Sequence, residues 1–163
     1  MTVREIRVFG DPVLRQRAEP VDPPSPATAA LVQDLLDTVQ LPGRAGVAAN
    51  QIGVAKAAFA YFVDDQLGYV LNPRIDEVRG EPRLVDEGCL SVPELGFPTP
   101  RSPFCRVVGV DLEGREVVLE GEGLMAQMLQ HEMGHLEGRL YLQALEKEMR
   151  SVAMAEVRKA AWY

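Results

Sequence analysis

Only two histidines occur in the chain, and they stand four residues apart in His131-Glu132-Met133-Gly134-His135. On a helix that spacing places both imidazoles on one face, one turn apart, where they can reach a single metal ion. Glu132 lies about 100° round the axis from His131, by the 3.6-residue turn, and can serve the open side of such a metal without ligating it. The chemistry suited to this set is metal-assisted hydrolysis; the competing reading is a half-buried structural histidine pair. The flanking periodicity favours the metal. Leu124, Met128, His131 and His135 are spaced four, three and four, and Met125, Leu129, Glu132 and Leu136 form the adjacent stripe. The ligand positions therefore continue an apolar face, as expected of a core helix at the floor of a cleft. A helix is predicted from about residue 122 to 137, with Gly138 as its C-terminal stop.

A catalytic site of this kind needs a third protein ligand and an open position for water. A third histidine six residues after the second, as in metzincins, is excluded, because Tyr141 occupies that place. A downstream glutamate, Glu146 or Glu148, is possible in principle, although the chain has no room for the second domain such enzymes carry. Cys89, within Glu87-Gly88-Cys89-Leu90-Ser91, is the better candidate upstream.

Three blocks together resemble the peptide deformylase family: Gly46-Val47-Ala48-Ala49-Asn50-Gln51, Glu87-Gly88-Cys89-Leu90-Ser91 and Gln130-His131-Glu132-Met133-Gly134-His135-Leu136. Asp11-Pro12-Val13-Leu14-Arg15, Leu71-Asn72-Pro73 and Pro100-Arg101 add to the likeness, which runs from about residue 5 to beyond residue 145. The resemblance implies that Cys89, His131 and His135 hold one divalent ion with water in the fourth place. Fe(II) is the implied native metal, and Zn(II), Ni(II) or Co(II) also suit a thiolate with two imidazoles. It further implies Glu132 as general base and acid, with Gln51 and the backbone N–H of Leu90 as donors to the developing oxyanion. Gly46, Val47, Glu87, Gly88 and Arg101 would surround the substrate, and Leu124 and Met128 would line its methionine pocket. Without the resemblance, Gly46 reads as a turn glycine and Gln51 as a surface amide. The implied substrate is the N-formylmethionyl end of a nascent polypeptide, met in transient proximity to the ribosome. A deformylase-like amidase or peptidase of altered specificity, and a non-catalytic binder of N-termini, remain as alternatives. Two positions depart from the family pattern: Gly134 stands where aspartate is usual, and Arg44 where the first glycine of a Gly-x-Gly block is usual.

The elements that must position these residues follow from pattern. Residues 1–25 read as an extended arm punctuated by Pro12, Pro20, Pro23 and Pro24. A helix is predicted from Ser25 or Pro26 to Val39, capped by Ser25, with Leu31, Val32, Leu35, Leu36 and Val39 on one face. Residues 57–63 read as a strand buried on both faces, and 69–71 and 83–85 as further strands. Residues 106–112 and 116–119 flank Glu113-Gly114-Arg115 as a hairpin, and a last helix is expected from about 145 to 160. The result is a single α+β domain over 1–163, its antiparallel sheets packed around a central metal-binding helix, with one helix N-terminal and one C-terminal. A net charge of −7 argues against direct nucleic-acid binding through a broad basic face. No apolar run could span a bilayer and the first residues lack a signal-peptide core, so a cytoplasmic location and no membrane partner are expected. Two cysteines make no disulfide framework and leave Cys89 free to ligate.

Overall fold

The computed structural model describes residues 2–163. Its centre is a five-stranded antiparallel sheet in the order β1-β2-β3-β6-β7. These strands are β1 (Gly46–Ala48), β2 (Ala58–Val63), β3 (Gln66–Arg79), β6 (Phe104–Val110) and β7 (Glu116–Glu122). Between β3 and β6 the chain leaves to make a separate two-stranded ribbon, β4 (Arg83–Cys89) with β5 (Val92–Arg101). The three helices are α1 (Pro26–Val39), α2 (Gly123–Leu136) and α3 (Lys147–Val157).

Alternation along β2 explains why the sheet is covered on both sides. Ala58 and Ala60 turn toward α1, where Leu31, Val32, Leu35 and Val39 pack on them with Leu71. Phe59, Tyr61 and Val63 point the other way, onto Ala126, Met128, Leu129, Met133 and Leu136 of α2, together with Val70, Cys105 and Val107. Successive strand side chains face opposite sides, so an unbroken apolar run serves two helices at once. A third cluster joins the ribbon to the C-terminal region: Val92 and Phe97 of β5 with Leu140, Tyr141, Leu142, Leu145, Ala153 and Val157.

Local signals set the helix ends. The Ser25 side chain accepts the Thr28 N–H, and Pro26 takes the first turn of α1. At the far end of α2, Gly138 at φ +76° donates to the His135 carbonyl and Arg139 to the Gly134 carbonyl. This paired closure satisfies two terminal carbonyls in the left-handed form that glycine takes at least cost. A Cβ at Gly138 would also lie 2.8 Å from the Arg15 carbonyl carbon, so the stop is where the N-terminal arm packs. Farther back on that arm, Asn72 grips Val21 through both of its backbone groups.

The strands differ from expectation in several places: no strand is predicted at 46–48, where β1 forms, and β6 and β7 run 104–110 and 116–122 where 106–112 and 116–119 are expected. Residues 69–71 are only the middle of β3, which continues past a register shift at Asn72-Pro73 to Arg79. The run 83–85 extends as β4 to Cys89. No strand is predicted for residues 92–101; β5 forms there and tolerates Pro93, Pro98 and Pro100 because a two-stranded ribbon leaves every second N–H unpaired. Within the described part of the arm, 2–25, the one helical element is a 3-10 turn at Pro12–Arg15. Of the C-terminal aromatic pair, Trp162 donates its indole N–H to the Pro93 carbonyl of β5, and Tyr163 is exposed.

Candidate metal and hydrolytic centre

α2 passes beneath a cleft of about 660 Å³ whose opposite side is the chain at 43–46 and the turn of the β4–β5 ribbon. His131 and His135 stand on the cleft side of the helix, their ring centroids 4.8 Å apart at 70°. Cys89 arrives at the end of β4, where the pairing slips between Gly88 and Cys89 and closes on Val92. That irregularity turns Sγ toward the histidines. The three donor atoms lie within 4.8 Å of one another, with His131 Nε2 3.1 Å from His135 Nε2 and Cys89 Sγ 3.3 Å from His135 Nε2. A tetrahedral ion with ordinary metal–nitrogen and metal–sulfur bonds would set such pairs at about 3.3 and about 3.6 Å, so the donor set fits one.

Neighbouring groups orient these donors. Glu87 Oε1 is 2.7 Å from His131 Nδ1, and Arg101 forks onto the same carboxylate, its Nε 2.9 Å from Oε2. Gln127 adds a hydrogen bond to Glu87 Oε2 and another to the Asp86 carbonyl. Burial pushes the Glu87 carboxyl upward, but the hydrogen bonds from Arg101 and His131 outweigh it and hold the group at about 2. Burial pulls the His131 pKa down, but the charge and hydrogen bond of Cys89 and the hydrogen bond to Glu87 outweigh it and raise it well above the ordinary histidine value. A cation taking the place of the Nε2 proton would leave Nδ1–H donating to an ionised Glu87 and the Nε2 lone pair for the metal. Burial, reinforced by His131, drives the His135 pKa well down, the neutral state a ligand requires. The Ser91 N–H and the Gln51 amide both approach Cys89 Sγ, at 3.4 and 3.7 Å.

Glu132 is buried, and its Oε2 has no hydrogen-bond partner. Burial raises its pKa to about 7, with Glu87 adding to the rise and His131 opposing it. A bound cation would draw it back down. Gly46 is also small for a reason the sequence does not announce: a Cβ there would lie 2.7 Å from Glu132 Cδ and 2.8 Å from Cγ. The glycine makes room for the carboxylate. Gln51 sits in the 3-10 turn Ala49–Ile52 that follows β1. Its Oε1 accepts the Ala48 N–H at 3.0 Å, which fixes the amide so that Nε2 faces the site and Ser91 Oγ at 3.3 Å.

Of the other residues singled out from sequence, Gly88, Leu90, Leu124 and Met128 line the cleft with Glu87. Leu124 is half exposed at the rim and Met128 is buried at the floor. Val47 is corrected: strand alternation turns it away from Gly46 into the core beneath α1, fully buried and off the cleft. Arg101 also stands outside the cleft lining and acts on it only through Glu87. Cys105 is a buried core thiol that burial pushes up to about 11. Sequence reasoning missed Gln127, although it stands one turn before His131 on the same face. It also missed Ser91 as a partner of Gln51, and Tyr141 as the ring stacked 6.1 Å from His131. The Tyr141 hydroxyl holds the Leu95 carbonyl in the cleft wall, a contact no spacing rule announces.

A family model for polypeptide deformylase matches residues 3–151. A peptide deformylase of Acidothermus cellulolyticus is 43% identical over 162 residues, 99% of this chain and 89% of that protein. Peptide deformylase 1 of Corynebacterium efficiens is 38% identical over 167 residues, covering 100% of this chain and 99% of the relative. Among solved structures, the peptide deformylase of Thermus thermophilus superposes with a TM-score of 0.89 at 39% identity, over 96% of this chain and 94% of that one. On this agreement of sequence, fold and geometry, the chain belongs to the polypeptide deformylase family.

Proposed function

We propose that this cleft hydrolyses the formyl amide at the N-terminus of formyl-methionyl peptides through the residues described above. The observation that carries the reading is the convergence of Cys89, His131 and His135 beside Glu132, a buried carboxylate with one oxygen left without a partner. A divalent cation on those three ligands supplies the Lewis acidity that makes water nucleophilic near neutral pH, Fe(II) being the metal the family resemblance favours and Zn(II), Ni(II) or Co(II) alternatives the ligands accept.

The chain's own residues do the remainder. Glu132 accepts the proton of the attacking water and passes it to the amine as the formyl C–N bond breaks, giving formate and a free N-terminus. Gln51 Nε2, held by the Ala48 N–H on its other side, donates to the oxygen that becomes negative, and the Leu90 N–H at the ribbon turn is the second donor. Glu87 keeps His131 in the ligating tautomer, and Arg101 and Gln127 keep Glu87 in place.

Substrate placement follows from the sheet. β1 is an edge strand, and the Phe62 N–H donates to the Ala45 carbonyl. In an antiparallel ladder hydrogen-bonded residues alternate, so Gly46 turns its own N–H and carbonyl outward to the cleft. A peptide adding itself there with its formyl group near Gln51 and Cys89 runs antiparallel to β1, and its methionine reaches Met128 and Leu124. Such termini occur on nascent chains, which would place the protein transiently near the ribosome, in the cytoplasm. Among the described residues no helix is long and apolar enough to cross a membrane.

The test is formate release by anaerobically prepared protein from formyl-Met-Ala-Ser, with the acetylated and unblocked peptides alongside. Release from the formyl peptide alone, lost in Glu132→Gln, is the expected result. Cleavage of internal bonds, or of the acetyl peptide at equal rate, would overturn it.

A further inference from the structure

Arg44 is the one guanidinium that lines the cleft. It is half-buried, and Nη1 donates to the Thr38 carbonyl at the end of α1 at 2.8 Å, which anchors one edge of the fork. Among the described residues no carboxylate pairs with it; Arg15, Arg17, Arg83, Arg150 and Arg158 also lack an acidic partner, but none of them lines the cleft. Burial alone lowers its pKa, in keeping with a cation that has given up water and gained no anion. Its remaining donors are thus incompletely used, and a planar guanidinium in that condition favours a carboxylate, which it can bind in a fork.

Its position says which part of a substrate it meets. The chain from Gly43 to Gln51 runs along the cleft toward Cys89, so Arg44 lies on the side of Gly46 away from the metal ligands. Two residues of extended chain span about 7 Å. A peptide paired antiparallel with β1 therefore brings its second and third residues past Arg44, while its methionine is still over α2. The other acidic groups of the cleft do not neutralise the cation. Glu87 is committed to Arg101 and His131, Glu132 is buried under Gly46, and Glu94 across the cleft is exposed, where water screens it.

We propose that Arg44 makes this enzyme selective for formyl-methionyl peptides with an acidic side chain at the second or third residue. The proposal rests on the deformylase reading above. Initial rates on formyl-Met-Xaa-Ser and formyl-Met-Ala-Xaa, with Xaa as Glu, Gln or Lys, measure it as ratios of kcat/KM. Glu is expected to exceed Gln by about 5- to 10-fold at one of the two positions, the scale of a charge-assisted contact at a partly wet site. Lys should fall below Gln, and the ratios should shrink as salt is raised. In Arg44→Ala the Glu/Gln ratio should collapse to about 1, and Arg44→Lys should keep part of it, because the charge remains but the fork is lost. Equal rates for Glu and Gln in the native chain, a preference for Lys, or a Glu preference that survives in Arg44→Ala would each overturn the proposal. Calorimetric binding of the product peptides Met-Glu-Ser, Met-Gln-Ser, Met-Ala-Glu and Met-Ala-Gln repeats the comparison without turnover. Absence of formate release would then count against the hydrolytic reading, while the charge selectivity would still be decided.

Discussion

The two walls of the cleft are built on opposite plans. The α2 wall carries His131, Glu132, His135 and Met128 on a helix whose other side chains, Leu129, Met133 and Leu136, are buried in the main core. The facing wall joins strand ends and turns, the start of β1 and the closed end of the β4–β5 ribbon. It comprises Gly43 at φ +82°, Arg44, Gly46, the slipped pairing at Gly88 and Cys89, and Glu94 at φ +64°. The first wall is held from behind by close-packed side chains that over-determine its geometry, as a reacting constellation requires. The second is strand edge and turn: β1 and the ribbon are laddered from behind and anchored by the buried Val47 and Val92, whereas Arg44, outside any strand, is tied by one hydrogen bond to Thr38. The helix thus offers two of the three candidate ligands and the candidate general base, while Cys89, Gln51 and the Leu90 N–H reach the same point from the facing wall, whose outer end carries Arg44.

If that division holds, damage to the α2 wall should be felt first in turnover. Glu132→Gln should reduce kcat by about 10²–10⁴ or more with metal content unchanged, as checked by elemental analysis beside the formate assay. Loss of the metal together with activity would mean that Glu132 is structural. Gln51→Leu comes next. It removes a donor placed for the transition state and should lower kcat by about 10²–10³ with little change in KM. A change confined to KM would move Gln51 to the binding side of the comparison.

Glu87→Gln tests the support behind the helix wall. It weakens the hold on His131 Nδ1 and leaves Arg101 partly buried with a neutral partner, so metal affinity should fall about 10–100-fold in chelator competition. Unchanged affinity would show that the tautomer is set elsewhere. The smallest effect is expected from Gly134→Ala. A Cβ there would meet only the Arg139 carbonyl, at 3.9 Å, so the alanine fits and should stabilise α2 by about 0.5–1 kcal/mol, seen as a small rise in Tm. A fall in Tm would mean that the glycine is needed for something the contacts around it do not reveal.

The same division explains what could be read from the chain. α1 was legible because Ser25, Pro26 and a leucine face coincide, and α2 because ligands and apolar residues share one period. β5 was not legible, since three prolines speak against a strand until a partner strand with a free edge is known. Only the middle of β3 was legible. Its remainder carries Arg74, Asp76, Glu77 and Arg79, and is held by pairing with β6 and by surface ion pairs, not by an apolar face. The group of Cys89, His131 and His135 could be named from two short blocks, yet the reason for Gly46 could not. That glycine answers to the side chain of Glu132, which lies far along the sequence. Val47 shows the complementary error, in which a residue inside the right block faces the wrong side because strands alternate.

X-ray absorption at the metal edge, on anaerobically prepared protein, tests the central claim most directly. One sulfur and two imidazole nitrogens per metal ion, with the sulfur signal lost in Cys89→Ser, is the result this account predicts. A metal environment with no sulfur, or with a single imidazole, would contradict it.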